Sequence, residues 1–305
     1  MKKDFLSIKD LTQQEIYRVF DLAKCYSTGG VSDPPAVLDG GCVGMLFSKP
    51  STRTRVSFEV AVHQLGGKPI YLQGDTTQVS RGESIRDTAA VLSRYLKGLI
   101  IRTYRQEDVE DFARWFRYPV VNALTDLLHP CQALTDFFTI YSIKGGLDGV
   151  KITYFGDANN VCNSLILGAD LLGVKIRILS PESHSPSPGV LEMMQDRSII
   201  EISSDPAVCI EDTDVIYTDT WISMGEEAER ESRTKTFQPY RVDKSVIQRA
   251  KKDVIFMHCL PAHRGDEVTD DVLDGPHSVI LKQAENRLHC QQALLNLIYS
   301  NINEK

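Results

Sequence analysis

The sequence predicts an α/β protein built from two doubly wound parallel-sheet domains. Three observations predict it. Short, β-branched apolar runs alternate with segments of helical period, the pattern of parallel strands covered on both faces. The alternation comes in two series, divided at Gly145-Gly146. The length, 305 residues, suits two domains of roughly 150 residues each.

The elements follow in order. Thr12 and Glu15 form a T-x-x-E capping box that opens a first helix, with Leu11 and Ile16 at the hydrophobic-staple positions. Strands are expected at 42–47, 69–72, 98–103 and 118–124, with helices near 52–65, 83–97 and 106–116. Gly66-Gly67 stops the helix before it. A long helical pattern at 131–144 closes the first series. The second series has strands near 151–156, 174–179, 200–203, 215–218 and 254–259, separated by helices near 160–172, 188–198 and 242–252. A further strand at 278–282 and an apolar helix at 285–302 end the chain.

Composition narrows the function classes. The chain carries 34 Lys+Arg against 41 Asp+Glu, a net charge of −7. No net positive field exists to hold a nucleic-acid backbone. No apolar run approaches the ~18 residues that span a bilayer, and the start lacks a signal-peptide stretch. Seven cysteines, widely spaced and without a C-x-x-C pair, disfavour a zinc ribbon or a thioredoxin-type site. Reduced thiols in a cytoplasmic protein are expected. No metal and no cofactor is expected.

In open α/β sheets, ligands bind beyond the carboxyl ends of the strands. The unusual chemistry lies there. After strand 42–47 comes Ser48-Lys49-Pro50-Ser51-Thr52-Arg53-Thr54-Arg55. A helix start already favours an anion, and arginine adds bidentate donors matched to phosphate. A lone Ser N-cap would explain one hydroxyl, not this density of donors. The segment is not a Walker A loop. The turn after 151–156 reads Gly156-Asp157-Ala158-Asn159-Asn160, which lacks the dinucleotide glycine fingerprint. Arg102 follows one strand, and His129-Pro130-Cys131-Gln132 follows another. Each alone reads as a surface charge or a helix start. Together with 51–55 they could converge on one anionic ligand.

The second series ends its strands with Asp157–Asn160, with Asp219-Thr220-Trp221-Ile222-Ser223-Met224-Gly225, and with His258-Cys259-Leu260-Pro261. Asp219 and Asn160 offer acceptors for an ammonium group, and Ser223 a hydroxyl. An N-cap is the plainer role for Asp219, and a buried strand thiol for Cys259. Residues 225–238 are polar and without a clear period, and are expected to form a lid beside the site.

These residues together resemble the ornithine carbamoyltransferases, within the aspartate/ornithine carbamoyltransferase family. The motifs are Ser51-Thr52-Arg53-Thr54-Arg55, His129-Pro130-x-Gln132, Asp219-x-x-x-Ser223-Met224-Gly225 and His258-Cys259-Leu260-Pro261. The last two are the more specific, and point to ornithine rather than aspartate. The resemblance implies a carbamoyl-phosphate-binding domain at 1–145, an ornithine-binding domain at 146–284, and a C-terminal helix at 285–305 returning to the first. It implies an active site in the cleft between the domains.

By resemblance, Ser51, Thr52, Arg53 and Thr54 would hold the phosphate of carbamoyl phosphate. Arg102 would bridge phosphate and carbonyl, with His129 and Gln132 at the carbamoyl end and Arg287 adding a contact. Gln78 would reach into a neighbouring subunit's site, since the family forms trimers or multiples of trimers. Asn160, Asp219, Ser223 and Met224 would bind L-ornithine. Cys259 and Leu260 would lie beside the reacting carbon and amine, with Arg102, His129, Asp219 and Cys259 acting in catalysis. Carbamoyl phosphate would bind first and ornithine second. Ala158, Ser80 and Ser48 depart from the common family pattern, and none of them removes a ligand. A non-catalytic relative, a transferase acting on another amine, and a nicotinamide dehydrogenase are the alternatives. The direction, towards arginine biosynthesis or away from it, stays open.

Overall fold

The computed structural model describes residues 3–30, 35–222 and 227–303. The chain divides into two compact units, one of Met1–Phe138 with Glu285–Lys305, the other of Thr139–Ala284. Among the described residues no helix is long and apolar enough to cross a membrane.

The first unit runs α1 (Gln13–Ser27), β1 (Cys42–Phe47), α2 (Thr52–Gln64), β2 (Lys68–Gln73), α3 (Ile85–Leu92), β3 (Gly98–Arg102), α4 (Gln106–Trp115), β4 (Val120–Leu124) and α5 (Pro130–Lys144). Its sheet has the order β2-β1-β3-β4, all parallel. The chain winds outward from β1 to β2, then crosses back to β3. The reversal at β1/β3 opens the crevice where such sheets take ligands.

Local chemistry explains these elements. The capping box forms: Thr12 Oγ1 accepts from Glu15 N at 3.2 Å, and Glu15 accepts from Thr12 N at 2.8 Å. Ile16, Val19, Phe20 and Ala23 then bury one face of α1 at helical spacing. Helix α5 is buried on all sides from Cys131 to Ile140, so polar groups on it need partners inside the protein. At Gly98, a Cβ would stand 1.8 Å from Tyr299 Oη. Only glycine lets that tyrosine reach the Lys97 carbonyl, at 2.9 Å.

The second unit runs β5 (Lys151–Phe155), α6 (Asn160–Leu172), β6 (Lys175–Leu179), α7 (Pro188–Glu192), β7 (Ile200–Ser203), β8 (Val215–Thr218), α8 (Arg230–Phe237), α9 (Lys244–Gln248), β9 (Ile255–His258) and α10 (Asp270–Leu273). Helix α11 (Ile280–Asn303) carries the chain back to the first unit. The second sheet has the order β7-β6-β5-β8-β9, again all parallel. Its reversal lies at β5/β8, beside the turns after Phe155 and Thr218.

The structure differs from the sequence expectation in several elements; the helices expected near 188–198 and 242–252 are only Pro188–Glu192 and Lys244–Gln248. The strand expected at 278–282 does not form. One bridge pairs Ser278 with Phe256, and α11 starts at Ile280. The β-branched run Val279-Ile280 reads as strand, but the good helix formers after it win. Helix α3 ends at Leu92, and Ser93 folds its hydroxyl onto the Ala89 carbonyl at 2.7 Å. The stretch 225–238, expected as an aperiodic loop, contains α8. That helix buries only Arg233 and Phe237, so it has no apolar stripe to read.

Candidate active site

In the first unit, Ser51 caps α2 with its side chain accepting from Thr54 N at 3.2 Å. Thr54 is buried, and its hydroxyl oxygen accepts from Arg287 Nη2 at 2.8 Å. The same guanidinium donates Nη1 to Gln132 Oε1 at 2.7 Å. Gln132 Nε2 donates to Asp136 Oδ1 at 2.8 Å. One chain of bonds thus links α2, α5 and α11, and leaves Gln132 one amide hydrogen for a ligand. Thr54 accepts from Arg287, so its own O–H points elsewhere.

Arg102 is buried at the end of β3, and His129 is buried at the start of α5. Burial, then Arg287 and Arg102, hold the His129 imidazole well below the usual histidine range. The ring is neutral at ordinary pH, so one of its nitrogens carries an N–H. Thr52 and Arg53 are exposed on the first turn of α2. Arg55, counted with the anion donors in the sequence, turns away. It pairs with Glu59 at 2.8 Å and lies 3.9 Å from the Tyr71 ring centroid. Gln78 is exposed on a short turn, its backbone carbonyl accepting from Arg81 N and Glu83 N, both at 3.0 Å.

Lys49 was missed as a constituent of the site. It is 6% exposed, paired with Asp126 and 4.5 Å from the Tyr104 ring centroid. It therefore ties together the segments that follow β1, β3 and β4. Its position directly before Pro50 was the only signal.

In the second unit, Asp219 follows β8 and is 5% exposed. Cys259 Sγ donates to Asp219 Oδ1 at 2.9 Å, and Asn159 Nδ2 donates to Asp219 Oδ2 at 2.8 Å. Both carboxylate oxygens are engaged. Asn159 also caps α6, accepting from Val161 N at 2.9 Å. The sequence singled out Asn160, which is half-buried at the first position of α6. The adjacent Asn159 holds Asp219, a role the sequence did not assign to either asparagine. Ser223 and Met224 lie outside the described residues.

His258 ends β9 with both ring nitrogens taken. Nδ1 accepts from Leu260 N at 2.9 Å, and Nε2 faces buried Glu267 Oε1 at 3.1 Å. This holds the turn at Leu260, whose φ of 59° is a conformation bulky residues rarely adopt. Ligand-type atoms of Asp219, His258 and Cys259 all lie within 4.8 Å of one another. With both imidazole nitrogens committed, the trio is a hydrogen-bonded support rather than a ready ligand set.

Arg233 was also missed. It is buried on α8, donating Nε to the Trp221 carbonyl at 2.7 Å and Nη2 to the Asp157 carboxylate. A lone arginine in a run of charged residues carries no sequence signal.

The two units therefore carry different clusters of side chains. One is a cluster of hydroxyl, guanidinium and neutral imidazole donors suited to an anion and a carbonyl oxygen. The other is a carboxylate–thiol pair suited to an amine.

Comparison with known proteins matches two family descriptions along the chain. Residues 3–142 match the description "Aspartate/ornithine carbamoyltransferase, carbamoyl-P binding domain", and residues 148–298 match "Aspartate/ornithine carbamoyltransferase, Asp/Orn binding domain". The chain is 50% identical over 305 residues to an ornithine carbamoyltransferase of Oceanobacillus iheyensis, covering 97% of this chain and 94% of that one. It is 47% identical over 306 residues to the "Ornithine carbamoyltransferase, anabolic" of Pyrococcus furiosus, covering 98% and 97%. The solved ornithine carbamoyltransferase of P. furiosus superposes with a TM-score of 0.93 at 47% identity, over 98% of this chain and 97% of that one. That of Thermus thermophilus gives 0.88 at 36%, over 98% and 99%.

Proposed function

The chain belongs to the aspartate/ornithine carbamoyltransferase family, and from that premise we propose that it transfers the carbamoyl group of carbamoyl phosphate to the δ-amine of L-ornithine, giving L-citrulline and phosphate. The observation that carries this reading is its 46–50% identity, over nearly the full length, to relatives named ornithine carbamoyltransferase.

The chemistry of the half-sites supports it. The neutral amine attacks the carbonyl carbon, the carbonyl oxygen gains negative charge, and phosphate leaves. Ser51, Thr52, Arg53 and Thr54 bind the phosphate from the start of α2, where free N–H groups and the helix dipole already favour an anion. Arg102 spans phosphate and carbonyl, and Arg287 supports Thr54 and Gln132. The neutral His129 donates to the oxygen that becomes charged, which is worth most in a water-poor site. Gln132 offers its remaining N–H to the carbamoyl end, and Leu260 packs beside it. Asn160, Asp219, Ser223 and Met224 bind ornithine. The Asp219–Cys259 pair receives the amine and eases its loss of a proton. Cys259 acts without a covalent intermediate, because its thiol is bonded to a carboxylate rather than to an imidazole base. Orientation of two substrates supplies much of the acceleration, up to ~7–11 kcal/mol.

Carbamoyl phosphate binds first and ornithine second. The chain acts in arginine biosynthesis, a direction supported by the P. furiosus relative's designation as anabolic. A reducing, cytoplasmic setting agrees with seven free thiols. The working assembly is a trimer, or a multiple of trimers, in which Gln78 serves a neighbouring subunit.

The test is direct. Purified protein is mixed with carbamoyl phosphate and a panel of ornithine, putrescine, N-acetylornithine and aspartate, and ureido products are measured. Citrulline should form fastest. Preferential carbamoylation of another amine overturns the reading.

A further inference from the structure

His184 stands where three parts of the second unit meet. Its backbone carbonyl accepts from Ala158 N at 3.1 Å, inside the turn that carries Asp157, Asn159 and Asn160. Its ring meets Phe237 of α8 edge-on, with centroids 4.7 Å apart. Phe237 in turn stacks on Trp221, with centroids 5.9 Å apart. Nε2 of the ring lies 3.4 Å from Arg233 Nη1, and Nδ1 lies 2.8 Å from Ser183 Oγ.

These partners fix the tautomer. A guanidinium only donates, so Nε2 must carry the lone pair and Nδ1 the hydrogen, which goes to Ser183. Arg233 spends its other donors on the Trp221 carbonyl and the Asp157 carboxylate. That one guanidinium braces the turn after β5 against the segment two residues beyond Asp219. Among the described residues, the charged groups near the ring include Arg233 from α8 and Asp157 from the turn, with Glu182 exposed on its own short helix. A proton on Nε2 would remove an acceptor and set a second cation against the guanidinium, with both competing for Asp157.

We propose that His184 is a positioning residue for the ornithine half-site, acting through Arg233. Neutral, it holds the brace; protonated, it loosens the brace and weakens ornithine binding. The link to ornithine rests on the function proposed above.

Two variants test it. His184→Gln keeps an acceptor and cannot become charged; His184→Lys is permanently cationic. The KM for ornithine is measured from pH 5.5 to 8.5 at saturating carbamoyl phosphate. Protonation of ornithine itself acts on all forms alike, so the ratio of parent to His184→Gln isolates the ring. The ratio should be near one at pH 8 and rise about three- to tenfold at pH 5.5, tenfold being one pKa unit of coupling. His184→Lys should show a raised ornithine KM at every pH, with the KM for carbamoyl phosphate unchanged in all forms. A ratio that is flat with pH overturns the proposal.

Fluorescence reads the same event without turnover. In a Trp115→Phe background, Trp221 emission should change as pH falls from 8.5 to 5.5, and this titration should vanish when His184→Gln is added. Persistence of the titration in the double variant overturns the proposal too. Failure to make citrulline at any pH would count against the functional reading alone, and the Trp221 titration would still decide the role of His184.

Discussion

The His129 imidazole is fully buried and faces two guanidiniums, which together with burial keep it unprotonated. The unfolded chain takes up a proton on this ring near pH 6.5, and the native state does not. Stability is therefore lost as pH falls below that value, by up to about 1.4 kcal/mol per pH unit until the native ring titrates. His129→Gln removes that proton uptake. Urea unfolding at pH 7.5 and 5.5 should show a smaller loss of stability on acidification in the variant than in the parent, and an equal loss would refute the assignment. The thiols show the same sensitivity to surroundings. Cys131 is buried and pushed up to about 12, an inert core residue. Cys259 is half-buried and bonded to Asp219. Residue type alone did not separate them; the carboxylate beside one of them does.

At the scale of elements, local pattern and tertiary contact divide the work visibly. Strand β1 and helix α1 were readable because period and capping are local properties. Helix α8 was not, because its buried residues are an arginine held by Asp157 and a phenylalanine stacked on Trp221. Both partners are distant in sequence. The pairing of β3 with α11 makes a sharper case, since Gly98 looks like a flaw in an apolar strand until Tyr299 is set against it. Gly98→Ala should destabilise the protein by about 1–3 kcal/mol, the usual cost of overpacking. Adding Tyr299→Phe removes the atom that the new methyl would strike, and thermal unfolding should recover part of the loss. A double variant no more stable than Gly98→Ala would show that the clash is not the cause.

For the whole molecule, each sheet reverses its winding once, and each reversal has one cluster of polar side chains at the ends of its strands. Gln78 is exposed on a short turn between β2 and α3. If it completes a neighbouring subunit's site, Gln78→Ala and Cys259→Ala are each nearly inactive yet complementary. Co-refolding them in equal amounts should return about a quarter of the parent activity, since in a closed ring each subunit draws its neighbour at random. No recovery would place Gln78 in its own subunit's site or in none.

Two parallel sheets, the order of their elements and the positions of the motifs could be read from the sequence, because they depend on periodicity, capping and residues adjacent along the chain. The donor-rich start of α2 belongs to that class, and so does the Asp219 turn. The partners of those residues could not be read. Arg287 bonds Thr54 across 233 positions, Cys259 bonds Asp219 across 40, and Arg233 bonds Asp157 across 76. Sequence-local forces say which residues can give or accept a hydrogen bond. Folding decides which buried donor meets which acceptor, because burial leaves each group no water to fall back on. That selection set Asn159 on the Asp219 carboxylate, paired Arg55 with Glu59, and made a helix of the stretch that carries Arg233.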